Sequence, residues 1–388
     1  MNKPQSPGSF ERTASGFHPD GQLSYALPGE YYFSPEIFER EKKAIWYDSW
    51  QYVGNAEDLK EIGSYFTSDI HGQEIVVIRE TETRVRAYHN VCKHRGHLLA
   101  AKGCGRATRL VCNFHGWCYG RDGKLIFAPN QNNMLHFNKE EFSLTEVRVE
   151  QFGIWMFANL NMDAQPLNEM CGDLLSEIRS MVPGFDSLTS SYSHTFDIKA
   201  NWKFILDGLE CYHCPYLHPS VMGPKDGYMT HTFETTLRPW DSTHIGYTNR
   251  DYVENNKDKL PYDFGDMDIK DVLIWFMWPN IVFVSHQGPS NIKILQAVSD
   301  GPENCRRHVY GFTKTKELTA HDHQHIDHYV NVVWPQDQGA IESQMKGVKS
   351  IGFNQGRLMV DRDNSWASEA GTHHFEHLVW RSLNGENY

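Results

Sequence analysis

The chain has 388 residues, more than one hydrophobic core usually serves, so two domains are the first expectation. Apolar residues make up 40% and aromatics 13%, enough to bury a large interior, which confines any disorder to the polar first thirty residues. Asp and Glu outnumber Lys and Arg by 49 to 37, for a formal charge of −12, and no basic run stands out, so a nucleic-acid partner is not expected.

The start, MNKPQSPGSF, lacks the apolar core of a signal peptide, and the longest apolar run, Val272 to Trp278, stops at Pro279. No membrane span is expected, and the protein is read as cytoplasmic. Ser34-Pro35 then predicts a helix cap and first helical position, with an amphipathic helix to Ile45; residues 1–45 form an N-terminal arm that packs with the catalytic part. From about Trp46 to Asn161 the chain breaks into short β-type runs (EIVVIRE, RVRAYHNV, KLIFAPN, EVRVEQFGIWMFANL) separated by turns such as Arg121-Asp122-Gly123-Lys124. A compact β domain over 46–162 is predicted, with the boundary in the segment from Asn161 to Leu167.

The remainder, 163–388, mixes both structure types. Helical patterning in DLLSEIRSMV precedes a strand, SYSHTFDIK, and a helix beginning near Asn201. Further strands (VLIWFMW, IVFVSH, IKILQAVS, RHVYGFTK) lead to a His-rich helical stretch from about Leu318. The runs HDHQHIDHY and THHFEHLVW show no shared apolar backing and read as solvated faces rather than as a third metal site.

Eight cysteines in a chain read as cytoplasmic argue against a disulfide scaffold, and their clustering, with 21 histidines, raises the question of metal binding. Cys92-x-His94 and Cys112-x-x-His115 place one Cys and one His on each of two loops. Two thiolates and two imidazoles suit either a tetrahedral zinc or a [2Fe–2S] cluster with cysteines on one iron and histidines on the other. The loops are turns between β-type runs with no finger helix, which favours the cluster. Cys104 and Cys118 fall outside the ligand pattern and read as small buried apolar residues.

These loops, NVCKHRGH and CNFHGWCYGRDGKL, resemble the two cluster loops of Rieske proteins, including the Gly-Trp-x-Tyr after the second histidine. Lys93 stands where proline is often found between the first two ligands. In NWKFILDGLECYHCPYLHPS, a helix interrupted near Pro215 can bring His213 and His218 to one point, and two imidazoles with one carboxylate suit Fe(II). Resemblance to Rieske non-haem iron oxygenases supplies the carboxylate: WPQDQGAIESQ is similar to the late helix whose aspartate completes the triad, implying Asp337. Many relatives carry an acid where Gln336 stands, so Glu342 and Asp327 remain alternatives, and Gly208 replaces a frequent asparagine.

The same resemblance implies that Glu210 is the carboxylate bridging iron site and cluster across a subunit interface, by fixing either His213 or the partner's cluster histidine. It implies an α+β fold: a Rieske β domain and a helix-flanked antiparallel-sheet catalytic domain. It further implies a homotrimer and electrons from NAD(P)H through a separate flavin/iron–sulfur reductase, with hydroxylation of a small-molecule substrate by O₂ as monooxygenase or dioxygenase.

The glutamate at 210, together with ECYHCP, most resembles the quaternary-amine lineage that acts on choline, glycine betaine, carnitine or stachydrine, implying N-dealkylation or C–N cleavage. An aromatic-ring or aromatic-acid hydroxylase or demethylase of the same family is the alternative. From other classes, an electron-transfer Rieske ferredoxin-like protein and a zinc-stabilised binding protein stay open. Trp275, Phe276, Trp278 and Phe283 read as core rather than as an ammonium cage.

Overall fold

The computed structural model describes residues 16–210, 212–222, 227–265, 267–363 and 365–385. Its first part holds β1 (Gln51–Asn55), β2 (Ser64–Ile70), β3 (Gln73–Arg79), β4 (Val85–His89), β5 (Cys104–Arg106), β6 (Leu110–Val111), β7 (Cys118–Tyr119), β8 (Leu125–Phe127), β9 (Glu146–Phe152) and β10 (Trp155–Asn159). Seven of them form an antiparallel sheet in the order β1-β10-β9-β4-β3-β2-β5, and β6-β7-β8 form a small second sheet.

The second part holds β11 (Thr189–Ile198), β12 (Met229–Leu237), β13 (Asp241–Thr248), β14 (Val272–Met277), β15 (Ile281–Ser285), β16 (Asn291–Ser299) and β17 (Cys305–Thr313). β12 to β17 run as an antiparallel meander in chain order, and β11 adds to the β17 edge. The fold is therefore α+β, with helices over an antiparallel sheet in the second part. The strands β12 and β13 carry no apolar alternation and were not anticipated from sequence.

Period-two alternation divides the meander between two cores. Phe276, Trp278, Val282, Val284 and Ala297 face Trp202, Phe204, Ile341 and Phe375 of the helical layer. Trp275, Met277, Ile281, Phe283, Ile292 and Ile294 face the opposite way, onto Trp50, Tyr52, Phe152, Trp155 and Phe157 of the first sheet. Trp155 stacks on Phe283 at 4.6 Å. A slip of one residue in β15 would exchange Val282 for Phe283 across these two cores, so its register is strongly specified. The four aromatics read as core are core.

Ser34 caps the helix Pro35–Glu41, its hydroxyl accepting from the Ile37 N–H at 3.4 Å, and the helix loosens into a wide turn over Lys42–Trp46 rather than continuing to Ile45. Glu41, fully buried, pairs with Lys203 and accepts from Trp202 Nε1 at 2.9 Å, tying this arm to the helical layer. Residues 16–30 are also held: the Leu27 N–H donates to Glu376 Oε2 at 2.9 Å and Ala26 N–H to the Gly356 carbonyl at 3.0 Å. Residues 1–15 lie outside the described part.

The His-rich runs are not solvated faces. In the helix Ala320–His328, His325 and His328 are buried, because Tyr262, Tyr329 and His286 supply aromatic surface for their rings. In the helix Ala370–Asn384, His373 is buried beneath Phe17 at 5.6 Å, and its Nε2 lies 2.9 Å from the His18 carbonyl. Imidazole is amphipathic enough to pack as core against aromatic rings, which the missing apolar stripe concealed. No described helix is long and apolar enough to cross a membrane.

Candidate cluster and iron sites on one chain

The two Cys/His loops share one backbone design. The Cys92 N–H donates to the His97 carbonyl and the Gly96 N–H to the Cys92 carbonyl, at 2.8 and 3.0 Å; Cys112 with Trp117, and Gly116 with Cys112, repeat this at 2.8 and 2.9 Å. Gly96 and Gly116 turn with φ of +75° and +70°, where a side chain would strain the backbone. The first loop follows β4 and the second closes the β6–β7 hairpin, so the end of one strand meets the end of a hairpin.

Cys92 and Cys112 lie inside, 1% and 2% exposed, while His94 and His115 lie outside with ring centroids 4.7 Å apart. Trp117 stacks flat on His94 at 5.0 Å. Tyr119 accepts from the Lys93 N–H at 3.0 Å and stands 3.4 Å from Cys92 Sγ, so the Trp and Tyr of the motif both serve the loops. His115 Nδ1 is buried without a hydrogen-bond partner. Burial raises the Cys92 thiol, a charge cost that a bound metal removes by taking the thiolate. An orphaned imidazole nitrogen and an inner thiol pair fit a [2Fe–2S] cluster with an exposed histidine edge. Of the two cysteines read as buried, Cys118 is; Cys104 is exposed, because β5 is the sheet's edge strand.

At the second site, His213 and His218 flank a single helical turn, Cys214–Leu217, in which Pro215 starts the turn rather than breaking a longer helix. Asp337 stands in the first turn of the helix Trp334–Gly347. One ligand atom from each of His213, His218 and Asp337 falls within 4.8 Å of the others. Glu342 instead accepts from the Lys199 N–H, and Asp327 from Asn331.

Each histidine is oriented through its other nitrogen. His213 Nδ1 lies 2.6 Å from Glu210 Oε1, and His218 Nδ1 lies 2.8 Å from Gln336 Oε1, while His218 Nε2 faces Asp337 Oδ1 at 2.8 Å. Outer partners of this kind fix ring direction and donor basicity in metal sites. Gln336, which sequence reasoning noted only as a departure, thus has a role that no residue pattern announced. Burial opposes a charge on His213, but hydrogen bonds with Cys214 and Glu210 outweigh it and raise the imidazole to about 11.

All three residues line a cavity of about 630 Å³ with Val272, Ile274, Val282, Val284 and Leu295 from the meander and Tyr329 and Trp334 from the helices. Two imidazoles and a carboxylate on a mostly apolar cavity fit a mononuclear iron(II) that keeps open positions.

Residues 49–149 match the Rieske [2Fe-2S] domain family, and residues 185–385 match the ring hydroxylating alpha subunit catalytic-domain family. The carnitine monooxygenase oxygenase subunit of Acinetobacter pittii is 30% identical over 375 residues, 96% of this chain and 98% of its own. The chloroplastic choline monooxygenase of Spinacia oleracea is 27% identical, across 97% of this chain and 83% of its own. The crystal structure of a quaternary ammonium Rieske monooxygenase with L-carnitine superposes with a TM-score of 0.82 at 28% identity, covering 95% of this chain and 98% of that one. Cluster-binding domain, catalytic domain and full-length relatives agree: this chain belongs to the Rieske non-haem iron oxygenases, as the oxygenase (alpha) subunit that carries a [2Fe–2S] cluster and a mononuclear iron.

Proposed function

We propose that this subunit hydroxylates a betaine-type quaternary ammonium compound at a carbon bonded to nitrogen, so that the product collapses with N-dealkylation or C–N cleavage. One observation carries the reading: His213, His218 and Asp337 converge on the wall of one largely apolar cavity in a chain that matches carnitine and choline monooxygenases along nearly its whole length. We assign Cys92, His94, Cys112 and His115 to the cluster and His213, His218 and Asp337 to the iron, with residues 46–162 as the cluster domain and 163–388, with the 1–45 arm, as the iron domain.

When bound, the two metal groups supply one-electron transfer and O₂ activation. The chain's own residues hold and shield. Glu210 and Gln336 direct the Nε2 atoms of His213 and His218 inward. The strand side chains Val272, Ile274, Val282 and Val284 exclude water from the reacting carbon. Faces of Phe233, Tyr329 and Trp334 on the same cavity suit an ammonium group.

The balance RH + O₂ + 2e⁻ + 2H⁺ → ROH + H₂O requires an electron donor, which we assign to a flavin/iron–sulfur reductase using NAD(P)H. A homotrimer, in which the exposed histidine edge of one cluster meets Glu210 of a neighbour, is supported by apolar side chains left open near both sites, Phe114 at 54% and Tyr216 at 84% exposure. A cytoplasmic location fits described cysteines such as Cys92, Cys112, Cys118 and Cys171, which form no disulfide.

The test is turnover with a reductase, NADH and O₂ on carnitine, γ-butyrobetaine, choline, glycine betaine and stachydrine, with O₂ uptake and aldehyde or amine release as readouts. Substrate-dependent, stoichiometric release from one of them is expected. Cluster reduction without any product would leave an electron carrier, and turnover confined to aromatic substrates would overturn the amine assignment.

A further inference from the structure

Resting on the quaternary-ammonium reading above, the inference concerns the other end of the substrate. Arg307, on β17, is the one Lys or Arg among the described residues lining the cavity, and it is 4% exposed. Its guanidinium packs against the adjoining rings of Phe196 and Trp334, at 5.3 and 5.6 Å from their centroids. NH2 donates to the Trp334 carbonyl at 3.2 Å, and Nε has no partner. The nearest carboxylate, Asp337, stands 3.8 Å away, beyond hydrogen-bond reach, and its other oxygen faces His218.

A guanidinium carries five N–H donors, and a buried cation left with unmet donors costs stability unless something else holds them. An Asp337 that ligates iron shares its charge with the metal, so it neutralises Arg307 less once the metal is loaded. Planar bidentate pairing with a carboxylate is what this side chain offers best. The two adjoining rings and the Trp334 carbonyl fix the fork's direction, which lowers the ordering cost of that pairing.

We propose that Arg307 anchors the carboxylate of a zwitterionic substrate, a quaternary ammonium carboxylate rather than a quaternary amino alcohol, and so sets which end of the molecule lies toward the iron. The alternative role, holding Asp337 in place for the metal, makes a different prediction and is separated by the choice of ligand.

The experiment is calorimetric binding to the iron-loaded protein of γ-butyrobetaine and of its amide, which keeps the ammonium and chain length but lacks the anion. The wild type is expected to prefer the acid by about tenfold or more, as sites built for a charged group reject analogues without it. Arg307→Gln is expected to bind both alike, and Arg307→Lys to keep part of the preference, with iron content measured on each. Equal binding of acid and amide by the wild type, a comparison that needs no variant to fold, would overturn the assignment alone. So would an Arg307→Gln protein that weakens both ligands equally. Binding of neither ligand by the wild type would overturn this assignment, and the quaternary-ammonium reading falls with it only if turnover also fails on all five compounds above.

Discussion

At the scale of single residues, the iron site separates ligands from the groups that aim them. His213→Ala or Asp337→Ala is expected to remove the mononuclear iron and abolish turnover while the cluster's visible absorption stays. Glu210→Gln keeps a hydrogen-bonding group beside His213 Nδ1 but removes its charge. Its expected signature is retained iron and cluster with product formation slowed by at least about tenfold, an order set by outer partners of metal ligands. Unchanged turnover in that variant would remove Glu210 from the electron path.

The raised His213 imidazole adds a pH dependence. Below its raised value the apo site holds a proton that a metal must displace, so iron(II) affinity is expected to rise with pH across the neutral range, with proton release on binding. Iron titration with calorimetry in two buffers of different ionisation enthalpy reads that proton directly. Among these proposed ligands, the two Cys/His pairs stood out by spacing, while His213 and His218 gained weight only beside them. Asp337 was legible only through resemblance, and Gln336 not at all, since its contact with His218 spans two distant segments.

At the scale of elements, the strands with alternating apolar residues were readable, and β12 and β13 were not. β13 is buried yet begins Asp-Ser-Thr-His, and its polar groups are met inside the fold: Ser242 Oγ lies 2.8 Å from His244 Nε2, and Arg238 binds Asp241 and Thr243. Satisfied polar residues can occupy a core position, and nothing in residue order reveals their partners. The His-rich runs were read as solvated faces, and their burial was hidden because their aromatic partners come from distant segments.

The N-terminal arm offers a sharper energetic test. The Lys203–Glu41 pair is fully buried. Lys203→Met strands the carboxylate and is expected to cost about 3–5 kcal/mol, whereas replacing both partners with apolar residues of similar size is expected to cost far less. Denaturant unfolding of the two variants distinguishes a stranded charge from simple loss of packing.

For the whole molecule, the protonation of buried side chains decides the stable pH range. Burial, as the largest cause, holds His71, His328 and His374 down to about 4 and His244 to about 3, with His286 and His325 well below their usual range. These groups stay neutral when folded but take up protons when unfolded near pH 6.5, so their contribution is present above that value and is lost as pH falls toward 4. Asp207, pushed up to about 7 by burial, and Glu376, also raised, act in the opposite sense and gain as pH falls. The six depressed histidines outweigh these two acids and the raised His213, which also gains as pH falls, and predict a melting temperature that drops between pH 7.5 and pH 5. A rise over that interval would mean that the histidines are solvated in solution.

The two-part organisation followed from length and from the change of pattern near Asn161. The shared core did not, because Trp155 and Phe283 come from segments that each read as self-contained. That contact joins the cluster-bearing sheet to the meander that walls the iron cavity.

The central claim is that one chain carries both metal groups. Anaerobic purification followed by metal analysis and EPR of the dithionite-reduced protein tests it most directly. The account predicts about three irons per chain and a rhombic reduced-cluster signal. A colourless protein holding zinc would contradict it outright, and two irons with no mononuclear site would contradict the oxygenase chemistry while leaving the cluster.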